Sequence, residues 1–251
     1  RVVGSVVETR PDTISAHNRT VIRRLGCTKV QMGIQSLNPE ILKANKRVID
    51  IDKIKEAFSL LRVFGFKIHA HFMVNLYGAT PEEDKQDYQR FVTDKAYLPD
   101  EVKLYPCSLV RGTKLCDHYA DRTWRPYTEE ELLDALIADT YTTPAYVRIS
   151  RMIRDISAHD IVTGNKKANL RQLVENKMLE EGKAIKEIRH REINADDAEV
   201  DDLKLVVLPY ETTNTQEYFL QWVTENNKIA GFLRLSLPDP VYIQEHRTEL
   251  P

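Results

Sequence analysis

Cysteine is scarce in this chain of 251 residues; Cys27, Cys107 and Cys116 are its whole complement. They form no CxxC pair and no Cys/His spacing that would hold zinc, so no metal site is expected within the chain. An odd, sparse set also argues against a disulfide framework. It suits reduced thiols in a cytoplasmic protein. Long apolar runs are missing as well. None approaches the ~20 residues of a membrane span, so no membrane partner is expected. Arg1-Val2-Val3 carries no signal-peptide signature, and it lies almost on the first strand, so the start of this domain is expected upstream. No charge dominates: the net value is −2, which leaves a nucleic-acid partner open until the charge is mapped. What is present is a core, since 42% of residues are hydrophobic, and that composition excludes general disorder.

The apolar patterning alternates between two periods. VVGSVV at 2–7 reads as a short buried strand. Val21, Ile22 and Leu25 share a helical face over 15–25. Residues 29–34 form the next strand. Ile54, Ala57, Phe58 and Leu61 then mark a helix over 52–64, and KIHAHFMV at 67–74 alternates as a third strand. Thr80-Pro81-Glu82-Glu83 is a capping box that opens a helix to about Val92, and VKLY at 102–105 is a fourth strand. Serial strand–helix units of this kind build a parallel sheet or part of a (β/α) barrel. Thr128-Glu129-Glu130-Glu131 caps a further helix. Residues 144–171 are basic, with six Lys or Arg against two Asp, and residues 192–202 carry six acids and no base. The acidic run reads as a boundary. Beyond it, 203–211, 216–223 and 229–237 read as antiparallel strands, the last two joined by a turn at 225–228. Three units are therefore expected: 1–143, a basic connector at 144–202, and a β-rich unit at 203–251.

Polar residues at strand tips single out the chemistry. ETRPD at 8–12 and GIQS at 33–36 both end strands, and α/β folds place ligands at the carboxyl ends of parallel strands. Glu8 with Arg10 could be no more than a salt-bridged strand end. Gln35, able to donate and accept, could line a shared pocket with Glu8. His69 and His71 face one side of their strand, as a satisfied core pair or as a pocket wall.

The ordered run ETRPD, GIQSL, Asn45-Lys46, HAHFMVNLYG, KLYPCSLVRGT, RPYTEEEL, PAYVRISRMIRDI, GNKKANLRQLV and IRHREI resembles the radical S-adenosylmethionine barrel of the Elongator catalytic subunit. The resemblance extends to about residue 237. It implies an α/β fold: a partial radical-SAM (β/α) barrel, a basic connector, and the first strands of a Gcn5-like α+β acetyltransferase. The implied activity is modification of the wobble uridine of tRNA at C5, with S-adenosylmethionine, a 4Fe–4S cluster and acetyl-coenzyme A as cofactors. The implied partners are tRNA and a homodimer or an Elongator-like complex. Glu8 and Gln35 would line the S-adenosylmethionine pocket. Lys46 stands where the family has Arg in an Asn-Arg-Gly-His run.

The family's three-cysteine cluster loop lies upstream of ETRPD and its pyrophosphate loop lies downstream of LRLSL, so this chain alone is expected to be inactive. Where some relatives carry metal-binding cysteines, this sequence has Ala184, Glu187 and His190, and no such site is expected. In the basic stretch, Arg148, Arg151, Arg154, Lys166, Lys167 and Arg171 are candidate RNA contacts, against the alternative of a solvated face. GIQS alone also resembles other radical enzymes. A radical enzyme acting on a small molecule, or a non-catalytic RNA-binding or assembly module, therefore stays open.

Overall fold

A computed structural model describes residues 2–153, 156, 157, 159–193 and 202–248. Strand β1 (Val6–Thr9) is followed by a single 3-10 turn (Pro11–Thr13) and helix α1 (Ala16–Arg24). Next come β2 (Lys29–Gln35), α2 (Pro39–Ala44), α3 (Ile51–Val63), β3 (Lys67–Val74), α4 (Pro81–Thr93) and β4 (Glu101–Pro106). A short strand β5 (Leu109–Val110), α5 (Leu115–Ala120) and α6 (Glu129–Thr142) lead to β6 (Arg148–Arg151), β7 (Ile161–Thr163) and α7 (Leu170–Glu181). Strands β8 (Lys204–Glu211), β9 (Thr215–Val223) and β10 (Ile229–Pro238) precede a terminal helix α8 (Pro240–Glu245).

Five strands form one parallel sheet in the order β1-β2-β3-β4-β6. Alternation gives each strand two faces. One is apolar: Val30, Met32 and Ile34, then Ile68, Ala70 and Phe72, then Val102, Leu104 and Ile149 are all buried there. The apolar stripes of α3, α4 and α6 join that face in one core. Within it, Phe72 stacks on Phe91, centroids 4.9 Å apart, and Phe58 meets Phe91 edge-on at 6.0 Å. Both capping boxes form, with Thr80 accepting from Glu83 N–H and Thr128 from Glu131 N–H.

The fifth strand, β6, falls inside the segment expected to be a connector. Its pairing with β4 makes the start of that segment part of the sheet. A second, antiparallel sheet runs β10-β9-β8. Its outer face leaves large side chains in solvent, among them Leu205, Trp222 and Leu233. Buried charge joins its inner side to the parallel sheet. Arg62 Nη1 donates to both Asp100 oxygens at 2.9 Å, and Arg234 of β10 donates to the carbonyls of Tyr146 (2.6 Å) and Asp100 (3.2 Å). Burial would raise the Asp100 carboxyl, but Arg62 and Arg234 outweigh it and hold it below its ordinary value. Among the described residues, no helix is long and apolar enough to cross a membrane.

Candidate functional site

Two strands of the parallel sheet end on a non-glycine residue in the left-handed region: Gln35 at φ 75° closes β2, and Asn75 at φ 62° follows β3. That conformation costs an L-residue of order 1–3 kcal/mol, so each needs a reason. Asn75 has a structural one. Its N–H donates to Asp84 at 2.6 Å, its Nδ2 to the Arg125 carbonyl at 3.1 Å, and its Oδ1 accepts from Tyr127 N–H at 2.8 Å. Gln35 takes this conformation where the β2–β3 register shifts, between Gly33 and Gln35. Its Oε1 is buried and finds no hydrogen-bond partner among the described residues.

Arg47 and Gln35 both lie over Gly33. Helix α2 starts at the Asn38 cap and ends at Asn45, and Lys46 at φ 58° turns the chain back so that Arg47 N–H bonds the Leu42 carbonyl at 2.8 Å. The turn leaves Lys46 exposed and sends Arg47 over β2. There Arg47 Nη2 donates to the Gly33 carbonyl at 2.6 Å, while its Nε is buried without a partner among the described residues. A Cβ on Gly33 would lie 2.9 Å from Arg47 Nη2 and 3.0 Å from Gln35 Nε2, so a side chain there would have to push the ends of both aside. Burial, then the nearby Arg10, lower the guanidinium's pKa, and Asp12 partly offsets them. The αL turn thus puts Arg47, and not Lys46, over the strand. Asn45 ties this loop to the next one. Its Nδ2 donates to the Ile41 and Tyr77 carbonyls, both at 2.8 Å, and its Oδ1 accepts from Tyr77 N–H at 3.2 Å.

The sheet face away from the helices is polar across its full width. Register places Glu8, Gln31, His69, Glu101 and Arg148 side by side on all five strands. Lys29 and Lys67 both pair with Glu101, at 3.0 Å for Lys29, and Lys103 Nζ donates to Gln31 Oε1 at 2.8 Å. His69 Nε2 lies 2.8 Å from Ser150 Oγ, and His71 Nε2 lies 3.1 Å from Gln31 Oε1. The two imidazoles meet edge-on at 5.9 Å, and Glu8 Oε1 stands 3.9 Å from His71 Nδ1. His69 and His71 thus belong to the wall of this face. Burial drives His69 down to about 3, against the raising effect of Glu101. Burial raises Glu101, yet hydrogen bonds and charge from Lys67 and Lys29 bring it down to about 2. Lys29, Gln31, Glu101 and Lys103 share this face and were not singled out from the sequence, although they alternate with apolar neighbours in the same way as His69 and His71.

The basic stretch separates into two kinds of residue. Lys166 and Lys167 are exposed on the turn before α7, where Lys167 Nζ meets Glu129 at 2.6 Å. Arg151 is exposed at the end of β6, and Arg148 pairs with Glu192 at 2.8 Å. Arg154 lies outside the described residues. Arg171 is not presented to solvent as a candidate contact would be. Its guanidinium donates to the Ile149 carbonyl (2.7 Å), Glu175 (2.7 Å) and the fully buried Glu187 (2.5 Å), which makes it an internal strut. Among the described residues, no group of three or more His, Cys, Asp or Glu could hold a metal ion.

Two family models match in sequence: the radical SAM superfamily over residues 3–91 and the radical SAM C-terminal domain over 99–180. A tRNA uridine(34) acetyltransferase of Methanocaldococcus infernus is 36% identical over 95% of this chain and 46% of its own length. The protein of that name from Methanocaldococcus jannaschii is 34% identical, over 95% of this chain and 45% of its own length. Elongator complex protein 3 of Schizosaccharomyces pombe is 29% identical, over 94% of this chain and 44% of its own length. Among solved structures, M. infernus Elp3 lacking residues 1–46 superposes with a TM-score of 0.90 at 35% identity, covering 95% of this chain and 58% of that one. The chain spans about half the length of the curated relatives it matches.

Proposed function

The chain belongs to the Elongator catalytic family of radical S-adenosylmethionine proteins, and from that premise we propose that it is the barrel part of a tRNA uridine(34) acetyltransferase. The observation that carries this reading is the cradle over Gly33. Gln35 Oε1 and Arg47 Nε are both buried and unpartnered among the described residues, and an orphaned buried polar atom is costly unless a ligand satisfies it. An acceptor and a cationic donor side by side suit the amino and carboxylate groups of S-adenosylmethionine. Glu8, 65% exposed at the adjoining strand tip, adds an acceptor for a ribose or ammonium group. The residues present therefore fit S-adenosylmethionine, which supplies radical chemistry when bound.

This chain's own residues hold and orient. Arg47, fixed on the Gly33 carbonyl, presents its Nε edge, and Gln35 is held by its strained backbone. The polar row from Glu8 to Arg148 forms the wall against which a substrate would lie. The described residues offer no ligand set for a 4Fe–4S cluster. In the whole enzyme, acetyl-coenzyme A would be a second cofactor and tRNA and an Elongator-type assembly the partners. The exposed Lys166 and Lys167 supply phosphate contacts to the tRNA in this reading. Nucleoside mass spectrometry of tRNA from cells with and without the gene tests the proposal. The carboxymethyl-type uridine at the wobble position should disappear with the gene; an unchanged nucleoside profile would contradict the function.

A further inference from the structure

Tyr77 follows the third parallel strand, in the loop that Asn45 binds through two hydrogen bonds to the Tyr77 backbone. Its ring stacks on His118 of α5, centroids 3.8 Å apart and planes 19° from parallel. Both residues are only half-buried. The loop is already held without the stack, because Asn45 secures the Tyr77 backbone and His118 Nδ1 lies 3.1 Å from Thr123 Oγ1. Both rings keep part of their surface in solvent in a fold that already has these other ties.

The surroundings are basic. Arg111, Lys114 and Arg122 are exposed on the segments that flank α5, and Lys46 is exposed next to Asn45; Asp117, Asp121 and Asp160 are the acids among them, with the Asp160 carbonyl accepting from Arg111 N–H at 3.1 Å and Asp121 engaged with Thr123. The β5–β7 ribbon, with Val110 opposite Ile161 and Leu109 opposite Thr163, carries the Arg111–Lys114 loop at one end and the Lys166–Lys167 turn at the other. The stack also adjoins the cradle through the chain itself, since Asn45 holds Tyr77 while Arg47, two residues on, covers Gly33.

We propose that the Tyr77–His118 pair is a stacking platform for an unpaired base of single-stranded RNA, flanked by backbone-phosphate contacts from Arg111 and Lys114 and lying beside the cradle. The inference rests on the RNA reading above and adds which RNA element is held. Aromatic faces beside cations bind single strands through base stacking, which tolerates any sequence. A duplex has no free base face to offer. The partner is thus a hairpin loop or another unpaired segment.

Filter binding of the chain to an RNA hairpin and to a blunt duplex of equal charge tests the proposal, with a salt series for each variant. Tyr77→Leu keeps an apolar side chain without the aromatic face, and Tyr77→Trp keeps the face. Tyr77→Leu and His118→Ala should each weaken hairpin binding roughly tenfold, leave duplex binding unchanged and leave the salt slope as it was. Tyr77→Trp should retain hairpin affinity. A 2-aminopurine in the loop should lose its quenching in Tyr77→Leu. Equal hairpin affinity for wild type and Tyr77→Leu, with wild type binding firmly, would overturn the platform alone. Failure of the wild type to bind either RNA would overturn the platform together with the RNA reading.

Discussion

Gln35 carries two unfavourable features in one residue, a left-handed backbone and a buried unpaired oxygen. Strain of this kind persists where a site needs it. Gln35→Gly should relieve the backbone and remove the orphan atom, offset in part by glycine's greater entropy loss. The expected result is a gain of about 0.5–1 kcal/mol in urea unfolding, together with lost ligand binding; a destabilised variant would show that Gln35 is a structural residue. His69 and Glu101 set the acid limit at this scale. The folded pKa of His69 is depressed to about 3 from its ordinary 6.5, so its contribution to stability is complete above pH 6.5 and is lost as pH falls toward 3. Glu101, depressed to about 2 from 4.5, contributes fully above pH 4.5 and adds to the loss below it. Stability should therefore fall by up to about 1.4 kcal/mol per pH unit just below pH 6, as expected for uptake of one proton. His69→Gln, which can keep a hydrogen bond to Ser150, should flatten the curve between pH 6 and 4.5. An unchanged slope in that variant would assign the proton to another group.

Elements with a clear period were legible in the sequence, and short ones were not. The capping boxes at Thr80 and Thr128 and the alternation over Lys67–Val74 stand in the structure where the pattern puts them. Helix α2 spans six residues and has too few turns to show a period. Strand β6 reads Arg-Ile-Ser-Arg and buries only Ile149, so its place in the sheet comes from non-local pairing with β4 and not from its own composition. The Arg47 cradle was hidden for a related reason: which of two adjacent basic residues crosses the strand depends on the φ of Lys46, which a sequence motif does not reveal. The same limit separates Arg171 from Lys166 and Lys167. Arg171→Ala should cost about 2–4 kcal/mol, because it leaves the buried Glu187 without its cation. The double change Lys166→Ala, Lys167→Ala should change stability by under ~0.5 kcal/mol. It should also flatten the log-affinity versus log-salt slope for tRNA by roughly one to two units. Thermal melts and a filter-binding salt series measure both. Equal slopes would return the turn to a solvated face.

Across the whole molecule, the two sheets are joined by polar contacts that burial makes demanding. Asp100 is fully buried between Arg62 and Arg234, and Arg191 reaches Gln221 at 3.0 Å and the Ala145 carbonyl at 2.8 Å. The two tryptophans report on the two sheets separately: Trp124 is buried beside Asn75, and Trp222 is half in solvent on β9. Wild-type unfolding should be coincident for both probes. Arg234→Met should cost about 1–3 kcal/mol, and the Trp222 transition should move to lower urea than that of Trp124. Coincident transitions in the variant would show that Arg234 does not couple the sheets. The serial strand–helix order and the antiparallel strands were readable at this scale from periodicity. The contacts between the sheets were not, because they depend on charges distant in sequence.

The central claim is that Gln35, Arg47 and Gly33 form the S-adenosylmethionine cradle, and calorimetric titration of S-adenosylmethionine into the chain and its variants tests it most directly. The account predicts that Gln35→Leu, Arg47→Leu and Gly33→Ala each weaken binding about tenfold or more, equivalent to about 1.4 kcal/mol, while Lys46→Ala binds as wild type does. Wild-type affinity in the three cradle variants, or a loss confined to Lys46→Ala, would contradict it.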